Sequence, residues 1–382
     1  MPLSQEFLLD TEIVFLNHGS FGACPRPVFD EYQRWQHELE AQPVEFLGRR
    51  FDDLLRAARE PLARYVNCDA DDLVYVPNAT TGLSIVARSL RLNAGDEIVT
   101  TDHEYGALDR TWTFLCEKTG AVYTRVPIPV PVTTREDFVE RVWSAVTPRT
   151  RVLFLSHITS PTALIFPVQE LVRRARAAGI ISIIDGAHAV GQIPLDLTAL
   201  GADFYSSNAH KWMMSAKGSA FLYVRREMQS IVEPLIVSWG WRPEKPARSN
   251  FVQEQEWQGT RDIAAYLSVP AAIRFMNEHN WEQVRAECHE LVRYAREKIS
   301  ALTELEPLSP DDWFAQMVAL PLPRCNPEIL KQRLYDEYKI EAPIITWNDR
   351  RLLRISVQGY NTRQDVEALA RALQVLLPQV AA

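Results

Sequence analysis

The sequence is poor in glycine, and it lacks the glycine-rich loops that usually hold nucleotides. Glycine supplies 15 of the 382 residues, roughly half of its usual share of about 7%. Neither the G-x-G-x-x-G pattern nor the G-x-x-x-x-G-K-[ST] pattern occurs in the chain. A Rossmann dehydrogenase and a P-loop nucleoside triphosphatase are therefore both disfavoured.

Cysteine is also sparse, and its arrangement suggests neither a disulfide framework nor a zinc ribbon. The five cysteines are scattered and form no C-x-x-C pair: Cys24, Cys68, Cys116, Cys288 and Cys325. The pair His289-Glu290 lacks the second histidine of a zinc protease motif. We expect no metal site, and free thiols in a reduced cytoplasm.

The charge and the hydropathy pattern exclude two further classes of partner. The formal net charge is −8, and no cluster of Lys or Arg offers a footprint for nucleic acid or an anionic membrane. No apolar run approaches the roughly 20 residues of a membrane span. The first residues lack the basic start and apolar stretch of a signal peptide. We therefore expect a cytoplasmic protein that acts on small molecules.

Short β-rich runs alternate with helical periods, which is typical of βαβ units and a mainly parallel sheet. Seven such runs predict a seven-stranded sheet flanked by helices: 73–76, 97–101, 121–126, 151–157, 180–185, 203–207 and 219–224. From residue 263 onward, helices and two strands (313–320 and 352–357) predict a smaller α+β unit. We predict an N-terminal segment (1–24), a large α/β domain (25–265) and a small C-terminal α+β domain (266–382).

Unusual residues follow three of the predicted strands, at the edge where parallel α/β sheets bind ligands. Asp185 ends an isoleucine-rich strand, and Lys211 follows another strand beside His210 and an indole ring. The third strand leads into Asn-Ala-Thr-Thr-Gly (78–82) at a helix start, where free N–H groups bind phosphate. Taken singly, each has an ordinary alternative: a turn cap, a surface lysine and an N-cap.

Taken together, the three strand ends supply the parts of a pyridoxal 5'-phosphate site. The cofactor needs a lysine amine for its Schiff base, a carboxylate that keeps the pyridine nitrogen protonated, and an anion site for its phosphate. Burial lowers the pKa of a lysine and favours the nucleophilic neutral amine. Lys211, Asp185 and the helix start at 78–82 match these needs.

The sequence resembles the class V aminotransferase family of fold-type I pyridoxal phosphate enzymes, and within it the isopenicillin N epimerase-like branch. The resemblance runs from about residue 14 to 375. Eight motifs carry it: LNHGSFG at 16–22, NATTG at 78–82, EYGA at 104–107, SHITS at 156–160, DGAH at 185–188, NAHKW at 208–212, GTRD at 259–262, and RIS at 354–356 followed by YN at 360–361.

The resemblance implies a role for each matching residue. Lys211 is the Schiff-base lysine, Asp185 pairs with the pyridine nitrogen, and Tyr105 stacks on the cofactor face. The other implied cofactor contacts are Thr80, Thr81, Asn208 and His210 at the phosphate, His188 near the phenolic oxygen, and Ser160, where many relatives have Asn. Thr260 resembles a residue that a second subunit lends to the phosphate, which implies a homodimer with shared sites. Arg354 binds the substrate α-carboxylate, and Asn17 and His18 lie in the segment that lines the substrate end.

The resemblance leaves several reactions open. Returning the α-proton to the opposite face gives epimerisation, losing a β-substituent gives a cysteine-type C–S lyase, and moving the proton to the cofactor gives transamination. Cysteine desulfurases carry a nucleophilic Cys shortly before the carboxylate-binding Arg, but none occurs between Asn326 and Arg354. We predict an epimerase-like enzyme acting at the α-centre of an amino acid or aminoacyl side chain. A lyase is the first alternative, an aminotransferase another, and a non-catalytic scaffold is disfavoured because the site residues are present.

Overall fold

The computed structural model describes residues 3–244 and 248–381, and within them strands and helices alternate through the first two thirds of the chain. The strands are β1 (Val14–Phe15), β2 (Leu73–Val76), β3 (Glu97–Thr101), β4 (Val122–Val126), β5 (Thr150–Ser156), β6 (Ile181–Asp185), β7 (Phe204–Ser207), β8 (Ala220–Val224), β9 (Met317–Leu322), β10 (Ile340–Glu341), β11 (Ile344–Trp347) and β12 (Arg350–Ser356). The α-helices are α1 (His18–Phe21), α2 (Arg26–Ala41), α3 (Pro43–Gly48), α4 (Phe51–Tyr65), α5 (Ala79–Ser89), α6 (Gly106–Thr119), α7 (Arg135–Trp143), α8 (Val168–Ala177), α9 (Leu197–Leu200), α10 (Asn250–Glu256), α11 (Ala264–Leu267), α12 (Val269–Glu278), α13 (Trp281–Thr303), α14 (Pro327–Tyr338) and α15 (Arg363–Leu376).

The central sheet has seven strands in the order β2-β8-β7-β6-β5-β3-β4. The strands β3 to β7 pair in parallel, and β8 runs antiparallel to both of its neighbours, β7 and β2. The prediction of a mainly parallel seven-stranded sheet flanked by helices is confirmed. Because parallel strands need crossover connections, helices cover both faces of this sheet.

The strands of the sheet are apolar on both faces, and successive residues pack into different clusters. In β5, Val152 and Phe154 join the cluster under α5 and α6, whereas Leu153 and Leu155 join the cluster under α4 and α8. This alternation is the two-residue period of a strand. Because both of its faces are buried, β5 is a nearly continuous apolar run, and it ends at Ser156 at the carboxyl end of the strand.

The C-terminal part is built on a second sheet. The strands β11, β12 and β9 form an antiparallel sheet, and residues of α13, α14 and α15 pack with it in one apolar cluster. The sequence pattern indicated β9 and β12, but it missed β11 and the two-stranded pair of β1 with β10. That pair attaches the N-terminal segment to the C-terminal part. The domain boundaries at 24 and 265 stay a prediction.

None of the helices in residues 3–244 and 248–381 has both the length and the apolar character that crossing a membrane demands.

Candidate active site

A cavity of about 500 Å³ lies at the carboxyl ends of the central strands. It brings together nine of the residues that the sequence singled out: Thr80, Thr81, Tyr105, Ser160, Asp185, His188, Asn208, His210 and Lys211. Its walls also include Asn78, from the predicted phosphate-binding helix start. The remaining wall residues lie in the quoted motifs but were given no individual role: Ser20, Phe21, Ala79, Ser156, Ile158 and Ala187. The cavity has the size and the mixed lining of a small-molecule site.

Lys211 lies in the loop after β7, with its amine directed at a histidine. The Nζ atom of Lys211 lies 3.2 Å from Nε2 of His188. Burial, helped by the charge of Arg354 and opposed by Asp185, lowers the pKa of Lys211 to about 7. A large fraction of the amine is therefore neutral near pH 7, which is the form that attacks a carbonyl carbon.

Asp185 ends β6 as a buried carboxylate without a cationic partner. Its Oδ1 accepts a hydrogen bond of 2.9 Å from the N–H of Ala187, and it forms no ion pair within the described part of the chain. Burial raises the pKa of Asp185 to about 6, against the N–H of Ala187 and the charge of Lys211. A buried carboxylate of this kind is stabilised by a ligand that brings a positive N–H group, such as a protonated pyridine ring.

The start of α5 offers hydrogen-bond donors for a phosphate. The side chain of Asn78 caps the helix by accepting from the N–H of Thr81 at 2.9 Å, and Asn208 Oδ1 accepts from the N–H of Ala79 at 2.8 Å. The N–H of Thr80 and its hydroxyl form no hydrogen bond within the described residues, and Thr80 lines the cavity. Asn78 and Asn208 thus shape the helix start, and Thr80 is left to face the anion.

The imidazole ring of His210 is a further candidate contact for the phosphate, and its protonation depends on whether a phosphate is bound. Its Nδ1 donates to the carbonyl oxygen of Ser219 at 2.8 Å, so the neutral ring carries its hydrogen on Nδ1 and leaves Nε2 as an acceptor. Burial lowers the pKa of His210 to about 4. A phosphate placed at Nε2 would favour the protonated ring, which then donates from both nitrogens.

Arg354, on β12, reaches the cavity wall from the C-terminal sheet. Its Nη1 donates to the backbone oxygen of Ser160 at 2.8 Å and to its hydroxyl at 3.1 Å, and Nη2 donates to the hydroxyl of Ser20 at 3.0 Å. Its Nε has no partner in the described part. Burial lowers the pKa of Arg354 to about 10, so the guanidinium stays charged without a carboxylate. It is held by two serines and suits an incoming carboxylate.

The segment 16–22 reaches the cavity, but not through the two residues that we expected at the substrate end. Asn17 turns away and donates to Glu341 Oε1 at 2.9 Å. His18 is fully buried behind the cavity, with Nδ1 2.9 Å from the Tyr360 hydroxyl and Nε2 3.0 Å from the backbone oxygen of Lys211. The cavity is instead lined by Ser20 and Phe21, one helical turn further along the same motif.

Gly22 allows this segment to cross the lysine loop at close range. Its φ angle is +71°, and a Cβ there would collide with the backbone oxygen of His210 and come within 2.9 Å of the Cα of Lys211. Only glycine combines this backbone conformation with such a close approach. His18 and Gly22 therefore fix the backbone that presents Lys211.

Thr260 is the one predicted cofactor contact outside the cavity of its own chain. It lies exposed in the turn between α10 and α11, and it is absent from the cavity walls. That a second subunit brings Thr260 to the phosphate stays a prediction, which rests on the family resemblance.

None of the five cysteines lines the cavity. Burial raises the pKa of all five thiols, to about 12 for Cys24, Cys68 and Cys288. A thiol of this kind carries little thiolate at neutral pH and is a poor nucleophile. The described residues thus contain no candidate for a persulfide-forming cysteine.

The donor set fits pyridoxal 5'-phosphate. A largely neutral lysine amine, an unpaired buried carboxylate and a helix start with free donors lie around one cavity, and a guanidinium without a carboxylate borders it. Each buried group lacks the partner that the cofactor or an amino acid would bring, so binding would satisfy groups that are otherwise costly to bury.

Comparison with known proteins gives the same picture. The family model described as "Aminotransferase class-V" matches residues 14–369. The chain is 36% identical to isopenicillin N epimerase of Amycolatopsis lactamdurans, over 97% of both chains, and 35% identical to that of Streptomyces clavuligerus, over 97% of this chain and 96% of the relative. It is 29% identical to L-cysteine desulfhydrase of Arabidopsis thaliana, over 96% of this chain and 88% of the relative.

Solved structures share the fold. The cysteine desulfurase of Thermococcus onnurineus NA1 superposes with a TM-score of 0.85 at 20% identity, covering 99% of this chain and 98% of that one. The enzyme C-DES, solved with glycine covalently linked to its pyridoxal phosphate cofactor, gives a TM-score of 0.86 at 20% identity, over 98% and 100% of the two chains.

Proposed function

The chain belongs to the class V aminotransferase family and is a pyridoxal 5'-phosphate enzyme, and from this premise we propose that it acts at the α-centre of an amino acid or aminoacyl side chain, as an isopenicillin N epimerase-like enzyme. The observation that carries the proposal is the full-length similarity to two isopenicillin N epimerases at 35–36% identity. The absence of a cavity cysteine among the described residues supports it, because a desulfurase of the persulfide type needs one.

In this proposal Lys211 binds the cofactor and afterwards handles the substrate proton. Pyridoxal 5'-phosphate, when bound, supplies an electron sink for the pair left at the α-carbon after deprotonation. The amine of Lys211, with its pKa lowered to about 7, is matched to the removal and return of a proton near neutral pH. Asp185 would hold the proton of the pyridine nitrogen, and Thr80 with His210 would hold the phosphate.

Arg354 would orient the substrate. A guanidinium binds a carboxylate through two parallel hydrogen bonds, which fixes both position and direction. The serines that hold Arg354, Ser20 and Ser160, leave its Nε without a partner. An α-carboxylate bound there would place the α-hydrogen within the cavity that Lys211 also lines.

Epimerisation needs a second proton donor on the face opposite Lys211, and we assign that role to Tyr105. Other titratable cavity groups are engaged: His188 contacts Lys211, His210 bonds Ser219, and Asp185 serves the ring nitrogen. Tyr105 is 45% exposed, and its hydroxyl forms no hydrogen bond within the described residues. As the ring that the family stacks on the cofactor, it would lie on the face away from the lysine.

A C–S β-lyase is the second candidate, because the similarity to an L-cysteine desulfhydrase also spans nearly the whole chain. Such an enzyme uses the same lysine and arginine, and it releases a sulfur leaving group from the β-carbon rather than returning the α-proton. It needs no cavity cysteine, so the cavity lining does not separate it from an epimerase.

We also propose that the enzyme works as a cytoplasmic homodimer. The support for the dimer is Thr260, which matches a phosphate contact of the family but lies outside the cavity of its own chain; the cytoplasmic location is carried over from the unpaired cysteines of the sequence. A second copy that brings Thr260 to the phosphate would complete both sites.

The reaction is tested by incubating the purified holoenzyme with isopenicillin N and, separately, with L-cysteine. Chiral chromatography of the first mixture should show the second configuration at the α-centre. Sulfide and pyruvate from cysteine, with no inverted product from isopenicillin N, would replace the epimerase by the lyase. A matched sample of the variant Lys211→Ala gives the background of both assays.

A further inference from the structure

Phe21 is an exposed aromatic residue in the wall of the candidate active site, and no role described so far uses it. It lines the cavity beside Ser20 and is 73% exposed. Of the cavity-wall residues within the described part of the chain, only Phe21 and Tyr105 are exposed, whereas the others are buried or half-buried. The two aromatic rings therefore mark the mouth of the cavity, where a ligand that is longer than the cavity would cover them.

The backbone of Phe21 is held on both sides. On the preceding residue, the hydroxyl of Ser20 donates to Asn17 Oδ1 at 2.6 Å and accepts from Nη2 of Arg354 at 3.0 Å. On the following residue, Gly22 packs so closely against the lysine loop that no side chain fits there. A single helical turn such as α1 is not stable on its own, so these contacts fix it in place. The aromatic ring is thus presented to the cavity mouth from a preorganised backbone, which lowers the entropic cost of binding.

The contact between Ser20 and Arg354 puts Phe21 on the path of a substrate side chain. An α-carboxylate bound at Arg354 would lie next to Ser20, and Phe21 is the next residue along the chain. The α-amine would meet the cofactor at Lys211, which is less exposed than the mouth. A side chain too long for the cavity then has to leave it between the two exposed rings. Tyr105 is predicted to stack on the cofactor, so Phe21 is the ring that is left for the side chain.

The length of the side chain decides whether it reaches this ring. The cavity of about 500 Å³ has to hold the cofactor as well as the reacting end of the substrate. A one-carbon side chain, as in alanine, ends beside the α-carbon. A long unbranched side chain extends to the mouth, where the ring of Phe21 removes its methylene groups from water. Affinity should therefore rise with the number of methylene groups that contact the ring.

We propose that Phe21 is a specificity-determining residue, whose ring receives the apolar stem of a long, unbranched substrate side chain at the mouth of the cavity. The substrate class that it favours is an amino acid with several methylene groups in its side chain. A small amino acid such as alanine or cysteine does not reach the ring and gains nothing from it. The inference rests on the proposed function, in which Arg354 binds the α-carboxylate.

The test titrates the holoenzyme with two amino acids that differ only in side-chain length, L-alanine and L-2-aminohexanoate, and follows the absorbance of the cofactor. Wild type should bind 2-aminohexanoate roughly tenfold more tightly than alanine, and Phe21→Ala should bring this ratio of affinities close to unity. Phe21→Leu keeps part of the apolar surface and should give an intermediate ratio. Phe114→Ala is the matched control, because Phe114 is exposed on α6 outside the cavity walls. It should keep the wild-type ratio.

The results distinguish a failure of this inference from a failure of the proposed function. If wild type binds both amino acids equally, or if Phe21→Ala keeps the wild-type ratio, Phe21 does not select the side chain, although the enzyme still binds amino acids. If neither amino acid changes the cofactor spectrum, the proposed function is contradicted and the inference falls with it. Sedimentation velocity of the same samples tests another occupant of the ring. A smaller assembly of Phe21→Ala with an unchanged ratio would mean that Phe21 contacts a second copy of the chain and not the substrate.

Discussion

The indole Nε1 of Trp212 donates to Nδ1 of His188 at 3.3 Å. An indole N–H can only donate, so Nδ1 of His188 must accept, and the neutral ring carries its hydrogen on Nε2. Burial keeps His188 neutral by lowering its pKa well below the usual value. Its Nε2–H therefore faces the amine of Lys211, 3.2 Å away. This arrangement favours the lone pair of a neutral lysine over an ammonium group.

Replacing Trp212 by Phe should make Lys211 harder to deprotonate. The ring of His188 could then present an unprotonated Nε2, which accepts from an ammonium group. We expect the pH midpoint for capture of pyridoxal phosphate by the apoprotein to rise by roughly half to one unit, the equivalent of one hydrogen bond. Stopped-flow absorbance over pH 5.5–9 measures it. Trp143→Phe, in α7, is the matched control and should keep the wild-type midpoint, and Lys211→Ala gives the background. If the midpoint does not shift in a folded Trp212→Phe variant, the indole does not control the protonation of Lys211.

Replacing Arg354 by Ala should weaken the binding of the substrate far more than the binding of the cofactor. The guanidinium contributes charged hydrogen bonds to an α-carboxylate, and their loss costs roughly 10- to 100-fold in affinity. Titrations of the holoenzyme with an amino acid, and of the apoprotein with pyridoxal phosphate, separate the two effects. Arg351→Ala, on the same strand, should leave both affinities near wild type. Equal losses of both affinities in Arg354→Ala would make this residue a structural support of the cavity.

Replacing Tyr105 by Phe should separate removal of the α-proton from inversion. The aromatic ring remains, so cofactor binding and exchange of the α-proton of one enantiomer should stay within about tenfold of wild type. Formation of the other configuration should fall by roughly 100-fold or more, the usual contribution of a general acid. The measurement is solvent exchange by proton NMR alongside chiral chromatography. If both fall together, or neither falls, Tyr105 is not the second acid.

His18 should make the protein sensitive to acid. Burial lowers its pKa from 6.5 to about 3, against the bond to the backbone oxygen of Lys211. Because the folded state binds this proton more weakly than the unfolded state, the contribution to stability is complete above pH 6.5 and is lost as the pH falls through 3. His18→Asn should therefore lose less free energy of unfolding than wild type between pH 7 and 4, measured in urea. His37→Asn is the control. If the free energy of unfolding of His18→Asn falls with pH as steeply as that of wild type, His18 is not a source of the acid sensitivity.

The parts of the site that sequence could predict are those tied to strand ends. Asp185 is the last residue of β6, and Lys211 lies in the loop that follows β7. The carboxyl end of a parallel strand fixes the edge of the sheet at which such residues lie. The same rule could have found Ser156, the last residue of β5. In the sequence analysis Ser156 stands in a quoted motif but was given no role, because a serine after an apolar run has no distinctive chemistry of its own.

The parts that sequence could not predict depend on contacts between distant segments. The bonds of Arg354 to Ser20 and Ser160 span 334 and 194 residues, and no local pattern encodes them. His18 was expected near the substrate because the family resemblance places its motif at the substrate end. The turn of α1 directs Ser20 and Phe21 there and buries His18. The strands β1, β10 and β11 were missed because runs of two to four residues carry too little periodicity.

The most direct test of the central claim is to incubate the holoenzyme with isopenicillin N and with a panel of amino acids in deuterated water. The account predicts deuterium at the α-carbon together with the inverted configuration, without keto acid and without loss of a β-substituent, and Lys211→Ala should abolish both. Release of pyruvate and sulfide from cysteine, with no inverted product from any substrate, would contradict it and identify the enzyme as a C–S lyase.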